Sequence, residues 1–155
     1  MKHKTWAVII AISALWSCTN ENESIQIQNV NNSWQKNKSV NFEFTVNDAQ
    51  NPKNIIFVVR NNNSYPFSNV RFFVTQTDMQ TKKAQTDTVN FTIAKSNGEW
   101  LGKGFGETKE INFAYRTDYK FPNNGKYQFS VKQAMRKDTL QGIEDLGIKI
   151  EPNTP

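Results

Sequence analysis

The sequence predicts an all-β fold, a single β-sandwich of about seven to eight antiparallel strands. Three observations carry that expectation. Val40, Phe42, Phe44 and Val46 alternate with Asn41, Glu43 and Thr45, the two-residue period of a strand with one buried face and one wet face. All eleven phenylalanines lie beyond residue 17, where the only leucines are Leu101, Leu140 and Leu146, and threonine, asparagine and valine are plentiful. Such a composition suits pleated sheet. No window repeats its apolar residues at the spacing of an amphipathic helix.

The chain opens on Lys2 and Lys4, followed by an apolar run from Trp6 to Trp16 that ends at Leu15-Trp16-Ser17-Cys18. A charged start, a short apolar stretch and a small residue before the cut describe an export signal. The run falls well short of the roughly 20 residues a spanning helix needs. Leu15 at −3 and Ser17 at −1 place Cys18, the only cysteine, where a bacterial lipoprotein signal puts it. Residues 1–17 are therefore expected to be a lipoprotein signal peptide. Cys18 is expected to carry lipid and hold the protein to a membrane.

Residues 18–155 suffice for one domain with its own core. The net charge of +5 drops by two when Lys2 and Lys4 leave, and acids are scattered among the remaining bases. That is no nucleic-acid footprint, which needs clustered Lys and Arg. Lipid occupies Cys18, and the only histidine, His3, leaves with the signal. Cys/His zinc sites, Ser-His-Asp triads and Cys-His dyads are thereby excluded, as is an internal disulfide. No D-x-[DN]-x-[DN]-G calcium loop is present, so no metal is expected.

Residues 18–24 form the lipidated cysteine and a polar tether, and Glu21 and Glu23 also resemble a surface-export signal. The sandwich spans 25–151, with 152–155 as a tail. Ile25, Ile27 and Val30 begin the apolar pattern, and an Asn-rich turn leads to Trp34. After the strand Ser39–Val46 comes a loop to Pro52. Asn54–Arg60 is apolar on both faces and suits a central, doubly covered strand. Val70, Phe72 and Val74 line the next strand, and the polar stretch Asp78–Asp87 reads as a hairpin-like connection to Val89, Phe91 and Ile93. Asn97-Gly98 is a turn signal.

Glu99–Phe113 is the least regular stretch. Its Gly102-x-Gly104-x-Gly106 has no flanking βαβ pattern, so the glycines are read as bends or close approaches while Trp100 and Phe105 pack. Tyr127, Phe129 and Val131 mark a strand that Gln133–Arg136 extends. Asp138–Asp145 reads as a turn or single helical turn, Leu146, Ile148 and Ile150 as the closing strand, and Glu151–Pro155 as free. Greek-key, jelly-roll and immunoglobulin-like orders all remain open.

Tyr65, Phe67, Trp100, Phe105 and Phe121 fall in loops, where aromatics either cap a core or present a surface to a partner or a glycan. Capping is the simpler reading. Arg136 is a candidate anchor for a partner, with an ion pair to Asp138 the simpler alternative. Asp87-Thr88-Val89 and Asp138-Thr139-Leu140 resemble an O-glycosylation acceptor, which nominates Thr88 and Thr139. Glu99, Glu107, Glu110 and Asp118 crowd one region, but nothing in their spacing selects a hydrolytic pair.

Asn62–Asn69, Gly98–Gly106, Lys120-Phe121-Pro122 and Lys132–Arg136 with Leu140–Ile143, in this order behind a lipoprotein signal, resemble the gliding-motility lipoproteins of the GldH type from Bacteroidota. Trp100-Leu101-Gly102-x-Gly104-x-Gly106 and Gln133-Ala134-Met135-Arg136 are the most specific segments. Asp138-Thr139-Leu140 departs from the family's more usual Asp-Pro-Leu. The resemblance implies an outer-membrane lipoprotein, on the periplasmic face or at the cell surface, needed for gliding. It also implies protein partners in the machinery that supports type IX secretion, with no catalytic residue and no cofactor. The alternative is a surface lipoprotein that binds glycans through its loop aromatics.

Overall fold

A computed structural model of the protein describes residues 23–153. The expectations for the signal peptide and for Cys18 lie outside the described residues. Ten strands form: β1 Ser24–Asn29, β2 Ser33–Gln35, β3 Val40–Val46, β4 Lys53–Asn61, β5 Asn69–Asp78, β6 Ala84–Thr92, β7 Lys109–Tyr119, β8 Gly125–Gln133, β9 Thr139–Gln141 and β10 Ile143–Pro152. Among the described residues there is no helix.

Two four-stranded sheets, β1-β10-β4-β7 and β3-β8-β5-β6, face each other, and β2-β9 forms a small flap. Every strand pairing is antiparallel. Among the eight longer strands, the first, eighth, third and sixth make one sheet and the second, seventh, fourth and fifth the other. That is jelly-roll order, the one of the three open alternatives that the molecule adopts.

Phe42, Phe44, Phe72, Phe129, Val70, Val74 and Val131 meet Ile55, Phe57, Val59, Leu146 and Ile148 between the sheets. Phe57 sits at the centre, with the rings of Tyr115, Phe72 and Phe91 at 5.4, 5.6 and 6.0 Å. Burying each such side chain contributes about 1.5–3 kcal/mol. Under the flap, Trp34 packs on Phe72 at 5.5 Å and donates its indole N–H to Lys38 O.

Several sequence expectations shift. Ile25 and Ile27 face outward, at 50% and 36% exposure, so they do not begin the core pattern. Their partner between them, Gln26, takes the other face: its carboxamide donates to the Glu43 carbonyl and accepts from the Glu43 N–H, joining β1 to the edge of β3. The second face of β4 is covered in part: Val58 is buried where Gly147 leaves room for it and Ile27, while Asn54, Ile56 and Arg60 are half-buried.

β7 is an eleven-residue strand that begins inside the stretch Glu99–Phe113, which reads as irregular, and runs on to Tyr119. Ile111, Phe113 and Tyr115 do alternate inward, but a register shift opposite Ile55 and Ile56 breaks the period and Arg116 and Asp118 obscure it. β5 runs on to Asp78, whose carboxylate accepts from Gln80 N and Thr81 N and shortens the predicted polar connection to a tight turn. Asp138–Asp145 contains β9 and the start of β10 in place of a helical turn. Glu151 and Pro152 are paired with Asn54 and Lys53, so the strand outlasts its apolar pattern.

Candidate functional site

The register defines two poles. Ser24, Ile150, Ile55 and Arg116 lie abreast across one sheet, and Asn29, Asp145, Arg60 and Glu110 lie abreast further along. The first row is nearest Glu23, where the described residues begin, and the second row belongs to the far pole. Loops 30–32, 62–68, 93–108 and 134–138 gather at the far pole.

Asparagines build its frame. Asn31 and Asn32 both hold φ of 55°, a left-handed conformation that asparagine accepts more readily than most residues. Asn32 Oδ1 accepts from Gly142 N at 2.8 Å and from Asn62 Nδ2 at 3.2 Å. Asn62 Nδ2 also donates to Glu144 Oε1, and Thr108 donates to the other Glu144 oxygen, each at 2.8 Å. Gly142, at φ +85°, is pressed so close to the 62–68 loop that a Cβ there would lie 2.2 Å from Tyr65 N. Sequence reasoning missed Asn32, Asn62, Thr108, Gly142 and Glu144. The Asn-rich runs signalled turns but not which chains they would tie together.

On this frame sit three of the five loop aromatics. Tyr65 is buried, donates to Asn69 O at 2.7 Å, and meets Phe67 at 5.8 Å and Trp100 at 6.4 Å. Burial raises the Tyr65 hydroxyl well above its ordinary pKa. Phe67 and Trp100 are half-buried against the core, and Trp100 Nε1 donates to Asn63 Oδ1. Phe121 is at the other pole, buried between Tyr119 and Tyr127 at 5.0 and 4.7 Å. These four cap the core.

Phe105 does not pack, against expectation: its side chain is fully exposed, with Leu101 nearby in sequence at 40% exposure. Lys103 and Glu110 exchange two backbone hydrogen bonds of 2.9 Å and close the segment between them. Lys109 Nζ donates to Gly104 O at 3.2 Å and Gly106 O at 2.7 Å. A Cβ at Gly104 would meet Thr108 O at 2.3 Å, and Gly106 holds φ +62°. The glycines supply the close approach and bend that the sequence suggests, and the result is a tied loop with Phe105 at its tip.

Arg136 is exposed and, among the described residues, forms no ion pair, so the pairing with Asp138 does not occur. The turn holding it is tied by buried Gln133, which donates to Lys137 O and accepts from Met135 N. Thr88 and Thr139 are exposed, and the residues after them, Val89 and Leu140, pack inward. Asp87 is engaged: Tyr115 and Arg116 both donate to its carboxylate, and these bonds hold its pKa below the usual range.

Of the four crowded carboxylates, two are engaged in ion pairs and one is set well apart. Glu99 pairs with Lys95 and Glu110 with Arg60. Asp118 lies at the pole nearest Glu23, eight residues along β7 from Glu110, which is about 25 Å against the roughly 5–10 Å a glycosidase-like pair needs.

The GldH lipoprotein family profile matches residues 22–150, almost the whole sandwich. The chain belongs to the GldH lipoprotein family. It is 40% identical over 125 residues, 76% of each chain, to a gliding motility lipoprotein GldH homolog of Christiangramia forsetii. It is 31% identical over 151 residues, 93% of each chain, to gliding motility lipoprotein GldH of Flavobacterium johnsoniae. Among solved structures, the coat protein of Tobacco streak virus aligns over 88% of this chain and 91% of its own at 9% identity, with a TM-score of 0.28. The two segments most specific to the GldH resemblance, Trp100–Gly106 and Gln133–Arg136, both fall at the far pole.

Proposed function

We propose that this GldH-family protein is a non-catalytic accessory subunit for bacterial gliding, anchored to the outer membrane by lipid on Cys18 and working with the machinery that also supports type IX secretion. The observation that carries this reading is the extent of the family match, which spans 22–150 and includes relatives named for gliding motility. The chemistry left to the domain agrees with an assembly role, since the imidazole and thiol leave with, or are consumed at, residues 1–18, Glu99 and Glu110 are held in ion pairs and Asp118 lies far from Glu110.

The alternative of a glycan-binding surface has less support. Four of the five loop aromatics cap the core, which leaves Phe105 as the one fully exposed ring among them. Thr88 and Thr139 are proposed O-glycan carriers, because each faces solvent while the residue after it packs inward. Deleting the gene tests the main reading: loss of colony spreading with reduced export of secreted proteins is expected, and normal spreading and export would overturn it. Cys18→Ala tests the anchor, with the protein expected to leave the membrane fraction.

A further inference from the structure

We propose that Phe105 is a preformed docking knob for an aromatic-sized apolar pocket on a protein partner that stands beyond the far pole, away from the anchored membrane. This deepens the accessory-subunit reading and rests on its placing of the lipid at Cys18.

Two independent features point to a docking role. First, Phe105 is a fully exposed large aromatic, and such a side chain in water forgoes the stabilisation that burial gives it elsewhere in this core. Second, the loop beneath it is built and tied. The paired backbone bonds between Lys103 and Glu110 and the Lys109 ammonium bridging the carbonyls of Gly104 and Gly106 hold its ends together. A segment ordered before contact loses less conformational freedom on binding, which favours affinity. Buried aromatic anchors of this kind dominate protein interfaces.

Geometry selects the occupant. Cys18 precedes Glu23 by five residues, a reach of at most about 18 Å. β1 then runs from Ser24 to Asn29, about 17 Å, before reaching the row that holds Glu110. The loop from Gly104 to Thr108 precedes Lys109, the first residue of β7, and so lies beyond that row. The knob therefore stands at the pole opposite Glu23, at least the length of β1 from where the chain leaves toward Cys18, a placement that favours a second protein over the anchoring leaflet.

The test places a photoactivatable benzophenone side chain at Leu101 of the full-length, lipidated chain in its native cells. The expected result is one discrete adduct with another protein, lost in Phe105→Glu, reduced more than about tenfold in Phe105→Ala and retained in Phe105→Trp. Because Phe105 touches no core residue, all three variants should keep the parent melting temperature and membrane fractionation. An adduct that Phe105→Glu leaves unchanged, an adduct with lipid, an adduct with the mass of two copies of this chain, or no adduct would each overturn the proposal. The readout is separate from spreading. A Phe105-dependent adduct in a strain whose gene deletion leaves spreading normal would sink the gliding reading alone. Lost spreading on deletion with no adduct would sink the knob alone.

Discussion

Arg116 donates from Nη2 to the Asp87 carboxylate at 2.6 Å, linking an edge strand of one sheet to an edge strand of the other. The Tyr115 hydroxyl donates to the same oxygen, and Arg116 also reaches Gln76 and lies over the Tyr119 ring at 4.6 Å. Gln26 and Glu43 make the corresponding link between β1 and β3. Both open sides of the sandwich are thus held by polar bridges, where apolar packing is thinnest and edge strands need cover.

The Asp87 bridge predicts a pH dependence. Its folded pKa lies below the unfolded value of about 3.9, so its contribution is fully present above that pH and is lost as pH falls through the folded value. Asp87→Asn should cost about 1–2 kcal/mol at pH 7. It should also flatten the fall in stability between neutral pH and pH 2. Urea unfolding at a series of pH values checks this, and parallel pH profiles for parent and variant would refute it.

Gly142→Ala should destabilise by at least about 3 kcal/mol, because the new Cβ meets backbone that cannot swing aside. Gly98→Ala is the control. It too has positive φ, +86°, but nothing within 4 Å, so it should cost only about 1 kcal/mol. Equal losses in thermal unfolding would show that the contact with Tyr65 is not what matters.

Lys53 is 5% exposed, and its ammonium meets the Asp48 carboxylate at 2.6 Å. Asp48→Asn leaves a buried cation without its anion and should cost about 2 kcal/mol, less than a fully buried pair would lose because Asp48 is partly exposed. Lys53→Met removes the charge itself and should cost less. Chemical denaturation of both variants decides the order.

Gln26→Ala should cost about 1 kcal/mol and uncover the edge of β3. The Glu43 amide hydrogen, now without its Gln26 acceptor, should exchange faster. Unchanged exchange at Glu43 would mean that the bridge does not persist in solution.

By itself the sequence determined the fold class, the central place of β4 and the inward faces of β3, β5, β8 and β10, since each is written in alternation or in a doubly apolar run. It also determined that His3 and Cys18 are the only imidazole and thiol, because residue types are countable without a structure. The turn at Asn97-Gly98 and the tight glycine segment were legible for the same local reason. Only the tertiary structure decided the rest. The jelly-roll order depends on which strands meet across long sequence separations, and no local period records that. The side of Ile25 and Ile27 was set by what Gln26 could reach on Glu43, seventeen residues on. β7 hid behind a register shift and charged residues whose partners are Asp87, Arg60 and Asn153. Four loop aromatics found core to cover and Phe105 did not, because that depends on how far a tied loop projects past the end of the sheets.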